Sequence, residues 1–344
     1  GDYSGPSGAR RVLEDPIVDV AVLETARGGI LLRGLAFESS DVSVFVNVSG
    51  DHLGLQGINT LESLAAVKSI VSKSTRAGGV AVLNADDAQV MKATNHLKAS
   101  KFLVSQNAAN PALAAHLDRA GHALLVDAAD VVYCRDGTRT ALLSVEDIPI
   151  TFGGRARHMV ENALCAAGAG IGLGLALDQV ADGLRTFQNS PEQNLGRLNL
   201  FSVDGVTVVL DYAHNPAGLT HLLAFAHSFT KPDSGLISII GTAGDREAEA
   251  LRKIGRIAGA ESRQVIVKDT AHYLRGRTAQ QMFDLFDEGV RANPAALAPL
   301  HAKSELEGVE MALAQARPGD AIAIMCQEQM TEIVDRLNAL GHPL

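Results

Sequence analysis

Apolar and polar positions along this chain fall into short solid runs separated by stretches with helical spacing. Residues 18–23 (VDVAVL), 42–48 (VSVFVNV) and 80–83 (VAVL) are apolar runs bounded by polar residues or glycine, a pattern that predicts buried strands. Residues 60–74 carry apolar side chains every three or four positions, which predicts a helix. Residues 131–134 and 140–145 flank Arg135-Asp136-Gly137-Thr138, an Asp-Gly hairpin signal, and 148–152 is expected to extend that small antiparallel insert. A long helix is predicted over 158–177, and the Asn-, Ser-, Pro- and Gly-containing stretch 188–197 reads as a linker. Beyond it the alternation is cleaner. Strands at 206–210, 236–240, 264–267 and 321–325 are each followed by a helical pattern, at 216–229, 246–259, 279–291 and 330–340. Such βα repetition predicts an α/β protein with mostly parallel sheets covered by helices, organised as a domain over 1–190 and a Rossmann-like α/β domain over 191–344.

Composition narrows the functional classes. With 47% apolar and 20% charged residues over 344 positions, the chain is globular and long enough for about two domains. Aromatic residues make up 4%, with no Trp, and 30 basic residues face 39 acidic ones. Few stacking surfaces and a net charge of −9 argue against a nucleic-acid partner. The longest apolar run, 162–177, is shorter than the roughly 20 residues a spanning helix needs, so no membrane association is expected. Cys134, Cys165 and Cys326 are widely spaced, without a CxxC pair, which suits a reducing, cytoplasmic setting.

In open parallel sheets, ligands bind beyond the carboxyl ends of the strands. Glu24, Asp51-His52, Asp211, Asp245 and Asp269 all stand at such positions, although Asp is also an ordinary turn residue there. Lys68 falls on the stripe formed by Leu61, Leu64, Ala65 and Val71. Two readings are open for it. The stem lies along apolar neighbours with the amine in water, or burial lowers the amine's pKa and the neutral amine adds carbon dioxide to become a carbamate, a carboxylate-like group suited to a hard divalent ion. Glu24 and His52 have the donor types to ligate such an ion, and a hydrogen-bonded strand-end cluster accounts for them equally well. Asp211 to Pro216 (DYAHNP) is a strand-to-helix turn, with Asp211 placed for ribose hydroxyls and Asn215 placed to cap the helix behind Pro216. The amides of 241–247 (GTAGDRE) suit an anion, or Asp245 simply caps the next helix. Glu247 and Glu249 suit a guanidinium partner, but acids are favoured in a first helical turn by the dipole alone. Gly168, Gly170 and Gly172 lie inside a helical pattern and so read as close packing rather than a dinucleotide fingerprint. No GxxxxGK[ST], GxSxG or HExxH motif occurs.

Taken in order, several segments resemble the Mur ligase superfamily. They are Leu23-Glu24-Thr25-Ala26-Arg27-Gly28-Gly29, 47–54 (NVSGDHLG), Ala66-Val67-Lys68, 83–87 (LNADD), Glu161-Asn162-Ala163-Leu164, DYAHNP and Gly244-Asp245-Arg246. Within that superfamily the pattern is most similar to the cyanophycin synthetase family. That similarity rests on the opening Gly1 to Pro6 (GDYSGP), ETARGGIL, DHLGL, Glu192-Gln193-Asn194 before Gly196-Arg197, DYAHNPAGL and Leu274-Arg275-Gly276-Arg277. Thr-Ala-Arg after Glu24, where the mureinic ligases usually carry Ser-Ser-His, counts against those relatives.

The resemblance implies an ATP-dependent carboxylate–amine ligase that adds arginine to the side-chain carboxylates of an aspartate polymer primer through an acyl phosphate. It implies that Glu24 and His52 hold Mg2+, that Lys68 is the carbamylated lysine supporting the metal site, and that Asn162 contacts adenine. Arg197 and Asp211 are implied at the nucleotide phosphate and ribose, and His214 and Asp245 near the reacting groups. Thr25, Arg27 and Arg246 are implied on the substrate side, and the enzyme is implied to be a homo-oligomer. The family's glycine-rich phosphate loop, GTNGKT in form, is missing from this sequence. The expectation is therefore a fragment, with that loop and an ATP-grasp region upstream, that binds ATP poorly and is inactive alone. Two further readings stay open: another Mur-type ligase acting on a peptidoglycan precursor or folate, and a non-catalytic assembly module.

Overall fold

A computed structural model describes residues 5–50, 53–54 and 56–344. The chain divides into two compact units, Gly1–Phe187 and Gln188–Leu344.

The first unit is built on one sheet. Strands β1 (Ser40–Phe45), β2 (Thr75–Asn84), β3 (Ser100–Ser105) and β4 (His122–Asp127) run parallel, and β5 (Asp130–Arg135) and β6 (Thr138–Ser144) continue the sheet antiparallel in the order β1-β2-β3-β4-β5-β6. The expected antiparallel insert is thus an extension of the parallel sheet. Its hairpin turns on Asp136 and Gly137, both at positive φ (50° and 76°), as a two-residue turn of this kind requires. Alternate residues of the central strands face opposite layers. Val82, Phe102, Val104 and Leu124 pack against Val160, Leu164 and Ala167 of the helix Arg157–Gly172. On the other face Ala81, Leu83 and Leu103 meet Leu64, Ala65, Val90 and Leu113.

Some sequence expectations for this unit are corrected. Residues 18–23 form no strand, and Ile17, Val20 and Val22 are exposed, because within the described residues β1 is the sheet edge and nothing pairs with this alternating segment. Residues 148–152 do not extend the sheet. Pro149 opens a 3-10 turn, Pro149–Thr151, and Phe152 takes positive φ, both incompatible with a ladder. The helix predicted over 158–177 ends at Gly172, where Gly174 turns the chain at φ 92° before a separate helix, Leu177–Thr186. The helix predicted over 60–74 is two pieces, Leu61–Lys68 and Ile70–Lys73.

The second unit has strands β7 (Asn199–Val203), β8 (Val206–Asp211), β9 (Leu236–Ile240), β10 (Gln264–Lys268), β11 (Leu300–Ala302), β12 (Ala321–Met325) and β13 (His342–Pro343), in the order β11-β10-β9-β12-β8-β7-β13. Its central strands are parallel. Every residue of β9, β10 and β12 is buried, which is why these segments read as mainly apolar runs, with Ser238 inside β9 and Gln264 and Lys268 at the ends of β10. The last long strand, β12, is inserted between β8 and β9. Helices predicted at 216–229, 246–259, 279–291 and 330–340 appear as Pro216–His227, Ala248–Glu261, Ala279–Val290 and Met330–Leu340. Asn215 does cap the first of these, accepting from Gly218 N at 2.8 Å with Pro216 at the first helical position. β7, β11 and the helix Glu305–Gln315 are additions that the apolar pattern did not mark.

A Cβ on Gly168 would stand 2.9 Å from Val82 Cγ1, so this glycine serves helix-on-sheet contact. Gly168→Val is expected to cost about 1–3 kcal/mol by overpacking. Urea unfolding measures it, and an unchanged midpoint contradicts the packing role.

Candidate functional site

Asn47, just past β1, is met by side chains from two helices of the first unit. Its side-chain amide donates to Glu161 Oε1 (3.2 Å), and its carbonyl accepts from Lys68 Nζ (3.4 Å). Lys68 ends the helix Leu61–Lys68 and is half-buried. Its amine is directed onto the backbone five residues before His52. Glu161 sits in the first turns of Arg157–Gly172. Burial raises its carboxyl pKa, aided by Asp86 and Asp87, while hydrogen bonds from Asn47 and Asn84 pull it back.

The LNADD segment proves structural. Asp87 accepts from Val48 N (2.8 Å) and caps the helix Ala88–Ala93 through Gln89 N and Val90 N. Asp86 accepts from Ser105 Oγ, Gln106 N and Asn110 Nδ2, tying β2 to β3.

Glu24 is exposed in the irregular segment before the helix Arg27–Arg33, and with Thr25, Gly29 and Phe37 it lines a small pocket. Thr25 and Arg27 are half-buried. Asn162 is exposed, its Nδ2 lying 3.6 Å from Met159 Sδ. Asp51, His52 and Gly1 to Ser4, all named in the sequence reading, lie outside the described residues. Among the described residues no three His, Cys, Asp or Glu side chains cluster as a metal would need.

In the second unit the tips of β8, β9, β10 and β12 are tied together. Asp211 ends β8. Its carboxylate accepts from Leu198 N (3.0 Å) and Ala213 N (2.7 Å), while its backbone carbonyl accepts from Cys326 N at the tip of β12 (2.8 Å). Burial pushes its pKa from 3.8 up to about 6, against the pull of Leu198 N, Arg197 and Ala213 N. Arg197 is exposed, with its guanidinium 5.2 Å over the Tyr212 ring, and Tyr212 meets His214 edge-on at 5.6 Å. His214 Nδ1 faces the Tyr212 carbonyl at 3.1 Å. A carbonyl only accepts, so Nδ1 carries the proton and Nε2 is the basic nitrogen of the neutral ring.

Asp245 does not cap the following helix, which starts at Ala248 with Glu247 at its N-cap. It pairs instead with Arg275 (2.6 Å), so the GDR and LRGR segments meet. Arg277 donates to the carbonyls of Gly244 and Arg246, and Gly244 N donates to Tyr273 O. A Cβ at 244 would lie 2.1 Å from Leu274 O, so only glycine fits. Arg246 Nε reaches Thr242 Oγ1 (3.2 Å), and that hydroxyl donates to His214 O (2.7 Å). Glu249 is engaged by Arg252 and Arg256 of its own helix.

Beneath these loops lies an ion pair that sequence reasoning missed. Lys268, ending β10, and Glu305, starting the helix Glu305–Gln315, are both fully buried and joined Nζ to Oε1. Burial alone would raise the Glu305 pKa; Lys268, the Cys326 thiol and the Gln329 amide bring it down to about 2. Glu305 also accepts from Gln327 N and Glu328 N. Lys268 had a signal, a cation closing an otherwise apolar strand. Glu305 had none, being indistinguishable from an acid placed for the helix dipole. All three cysteines are free and buried, and burial pushes the Cys165 thiol up to about 12. No described helix is long and apolar enough to cross a membrane.

Residues 9–170 match the family model "Mur ligase middle domain", and 196–327 match "Mur ligase, glutamate ligase domain". The chain therefore belongs to the Mur ligase superfamily. It is 41% identical over 300 residues to a cyanophycin synthetase of Synechocystis sp., a match covering 86% of this chain and 34% of that protein. It is 38% identical to one of Nostoc sp., over 84% of this chain and 32% of the relative. The chain thus spans about a third of the length of these curated relatives. A UDP-N-acetylmuramoyl-L-alanyl-D-glutamate--2,6-diaminopimelate ligase of Trichormus variabilis is 25% identical, over 90% of this chain and 57% of its own. A bifunctional folylpolyglutamate synthase/dihydrofolate synthase solved with Mn, AMPPNP and L-glutamate bound superposes with a TM-score of 0.63 at 17% identity, over 95% of this chain and 69% of its own. A murein peptide ligase of Psychrobacter arcticus gives 0.57 at 16% identity, over 88% and 57%. These two establish the fold.

The shift at Asp211 has a definite sign. A folded-state pKa of about 6 against 3.8 means the folded state holds the proton more tightly, so this group's contribution to stability falls as pH rises from about 4 to about 6 and is level above. Carbon-13 titration of the Asp211 carboxyl is expected to show a midpoint near 6, and Asp211→Asn to remove that segment of the stability–pH curve. A midpoint at the ordinary value contradicts the burial argument.

Proposed function

We propose that this chain is the Mur-ligase part of an ATP-dependent carboxylate–amine ligase that adds arginine to the side-chain carboxylates of an aspartate polymer. The observation that carries this reading is the 41% identity, over most of the chain, to a relative named cyanophycin synthetase, well above the 25% to the diaminopimelate ligase.

In this reading the polymer's carboxylate oxygen attacks the γ-phosphorus of ATP, and ADP leaves. The arginine α-amine then attacks the acyl carbon and loses a proton, and phosphate departs. Positioning and charge neutralisation supply most of the catalysis. In the second unit, Arg197 and Asp211 serve the nucleotide phosphate and ribose, with Asp211 accepting from hydroxyls when ionised. His214 and Asp245 stand near the reacting groups, with His214 Nε2 the nitrogen able to take the proton from the amine. In the first unit, Asn162 serves the adenine and Thr25 and Arg27 the substrates, to which Arg246 of the second unit is also assigned.

Glu24 and His52 are the residues that would hold Mg2+, and Lys68, as its carbamate, would supply the supporting carboxylate. When bound, the cation neutralises phosphate charge. The position of Lys68 supports that assignment. Lys68 is half-buried and its amine is turned onto the Asn47 carbonyl, in the segment that leads to His52. Carbamate formation joins the neutral amine to carbon dioxide with loss of one proton. A cytoplasmic, homo-oligomeric enzyme fits the same reading.

The test is arginine incorporation and phosphate release by the full-length protein, supplied with ATP and a poly-aspartate primer. Wild type is expected to release one phosphate per arginine joined. Lys68→Ala is expected to lose activity by roughly 100-fold, as loss of a supporting metal-site group does. Ordinary turnover by Lys68→Ala would overturn the metal-site assignment, and incorporation of another amino acid in place of arginine would overturn the substrate.

A further inference from the structure

Insertion of β12 between β8 and β9 places the turn after it, Cys326 to Gln329, among the other strand tips of the second unit. Gln327 is the half-buried side chain of that turn that reaches outward from the Lys268–Glu305 pair. Its Oε1 accepts from Lys268 Nζ at 2.8 Å, and its Nε2 donates to the Ala213 carbonyl at 2.6 Å. The amide has only one possible orientation, because the ammonium only donates and the carbonyl only accepts. Ala213 immediately precedes His214. Other ties of that loop include Tyr212 N to Gly196 O, Ala213 N to Asp211 Oδ1, His214 Nδ1 to Tyr212 O, and the Thr242 hydroxyl to His214 O. The Gln327 link joins the loop to the buried ion pair.

We propose that Gln327 is a positioning residue for the ligation. Oriented by Lys268, it fixes the Ala213 carbonyl and so sets where His214 is presented. The inference rests on the ligase reading above for what the loop does, while the link itself rests on geometry alone. Two features make the side chain separable from the fold. Glu305 accepts the backbone amides of Gln327, Glu328 and Gln329, so the turn is held whatever side chain stands at 327. Lys268 keeps Glu305 as its counter-ion when the amide is removed, so no buried charge is left unpaired.

The experiment compares Gln327→Leu and Gln327→Glu with wild type in the full-length protein, by hydrogen exchange and by steady-state kinetics. Glu matches Gln in size and can still face Lys268, but its carboxylate cannot donate to Ala213 O. Both variants are expected to exchange the amides of 212–215 roughly fivefold to tenfold faster, the equivalent of one hydrogen bond, with β9 and β10 unchanged. Both are expected to lose about 10- to 100-fold in kcat, since small misplacements near reacting groups carry such losses, with KM for ATP and arginine little altered. Wild-type exchange over 212–215 overturns the proposal, as does a Gln327→Glu variant with wild-type kcat. Faster exchange spread evenly over the unit also overturns it, since that marks general destabilisation. A wild type that joins no amine to a carboxylate counts against the ligase reading, and the exchange data then still decide whether Gln327 holds the loop.

Discussion

The second unit depends on a buried charge pair. Placing Lys268 and Glu305 out of water is costly for each, and an ion left without its partner in such a place destabilises a fold severely. The pair is tolerable because the carboxylate is saturated: an ammonium, a thiol and successive backbone amides all donate to it. Those amides belong to the turn behind β12, so neutralising the charge and shaping the turn are one event. The cation and the carboxylate are brought together from the end of one strand and the start of one helix. The arrangement therefore acts as a check that β10, β12 and the helix Glu305–Gln315 have docked in register.

The two units handle their strand tips differently. In the first, carboxylates do the joining: Asp86 and Asp87 accept from neighbouring backbone and side-chain donors, while burial and acidic neighbours raise the Glu161 pKa against the hydrogen bonds from Asn47 and Asn84. In the second, Thr242, Gln327 and Arg277 bridge one loop to the next. Lys68 joins the first of these groups through the Asn47 carbonyl, and that contact ties the helix carrying it to the β1 tip.

Much of the architecture was legible in the sequence because buried parallel strands write themselves as solid apolar runs. Residues 236–240, 264–267 and 321–325 are strands for that reason, and Asp136-Gly137 turns a hairpin because few other residues accept that backbone. Residues 18–23 carry an equally clear alternation and yet form no strand, since a strand exists only where a neighbour pairs with it. Residues 148–152 failed through Pro149. At the site, Asp211 and Asp245 were marked by standing at or just past strand ends, a rule of topology, and His214 only by the likeness of the DYAHNP turn to the family's. Gln327 carried no mark, because its role is set by which loop lies opposite it. Asp245 and Arg275 lie 30 positions apart in the chain, and nothing local links them.

The late arrival of β12 has a consequence for synthesis of the chain. β8 and β9 are separated in the sheet by a strand made more than a hundred residues after the first of them. Until it emerges from the ribosome, both strands expose an open ladder edge, and the ammonium of Lys268 lacks the turn that completes its surroundings. Long-range pairing of this type is slow and leaves edges open to wrong partners. This half of the protein is therefore most vulnerable to aggregation or proteolysis as a nascent chain, and becomes secure only when its last parallel strand closes the gap.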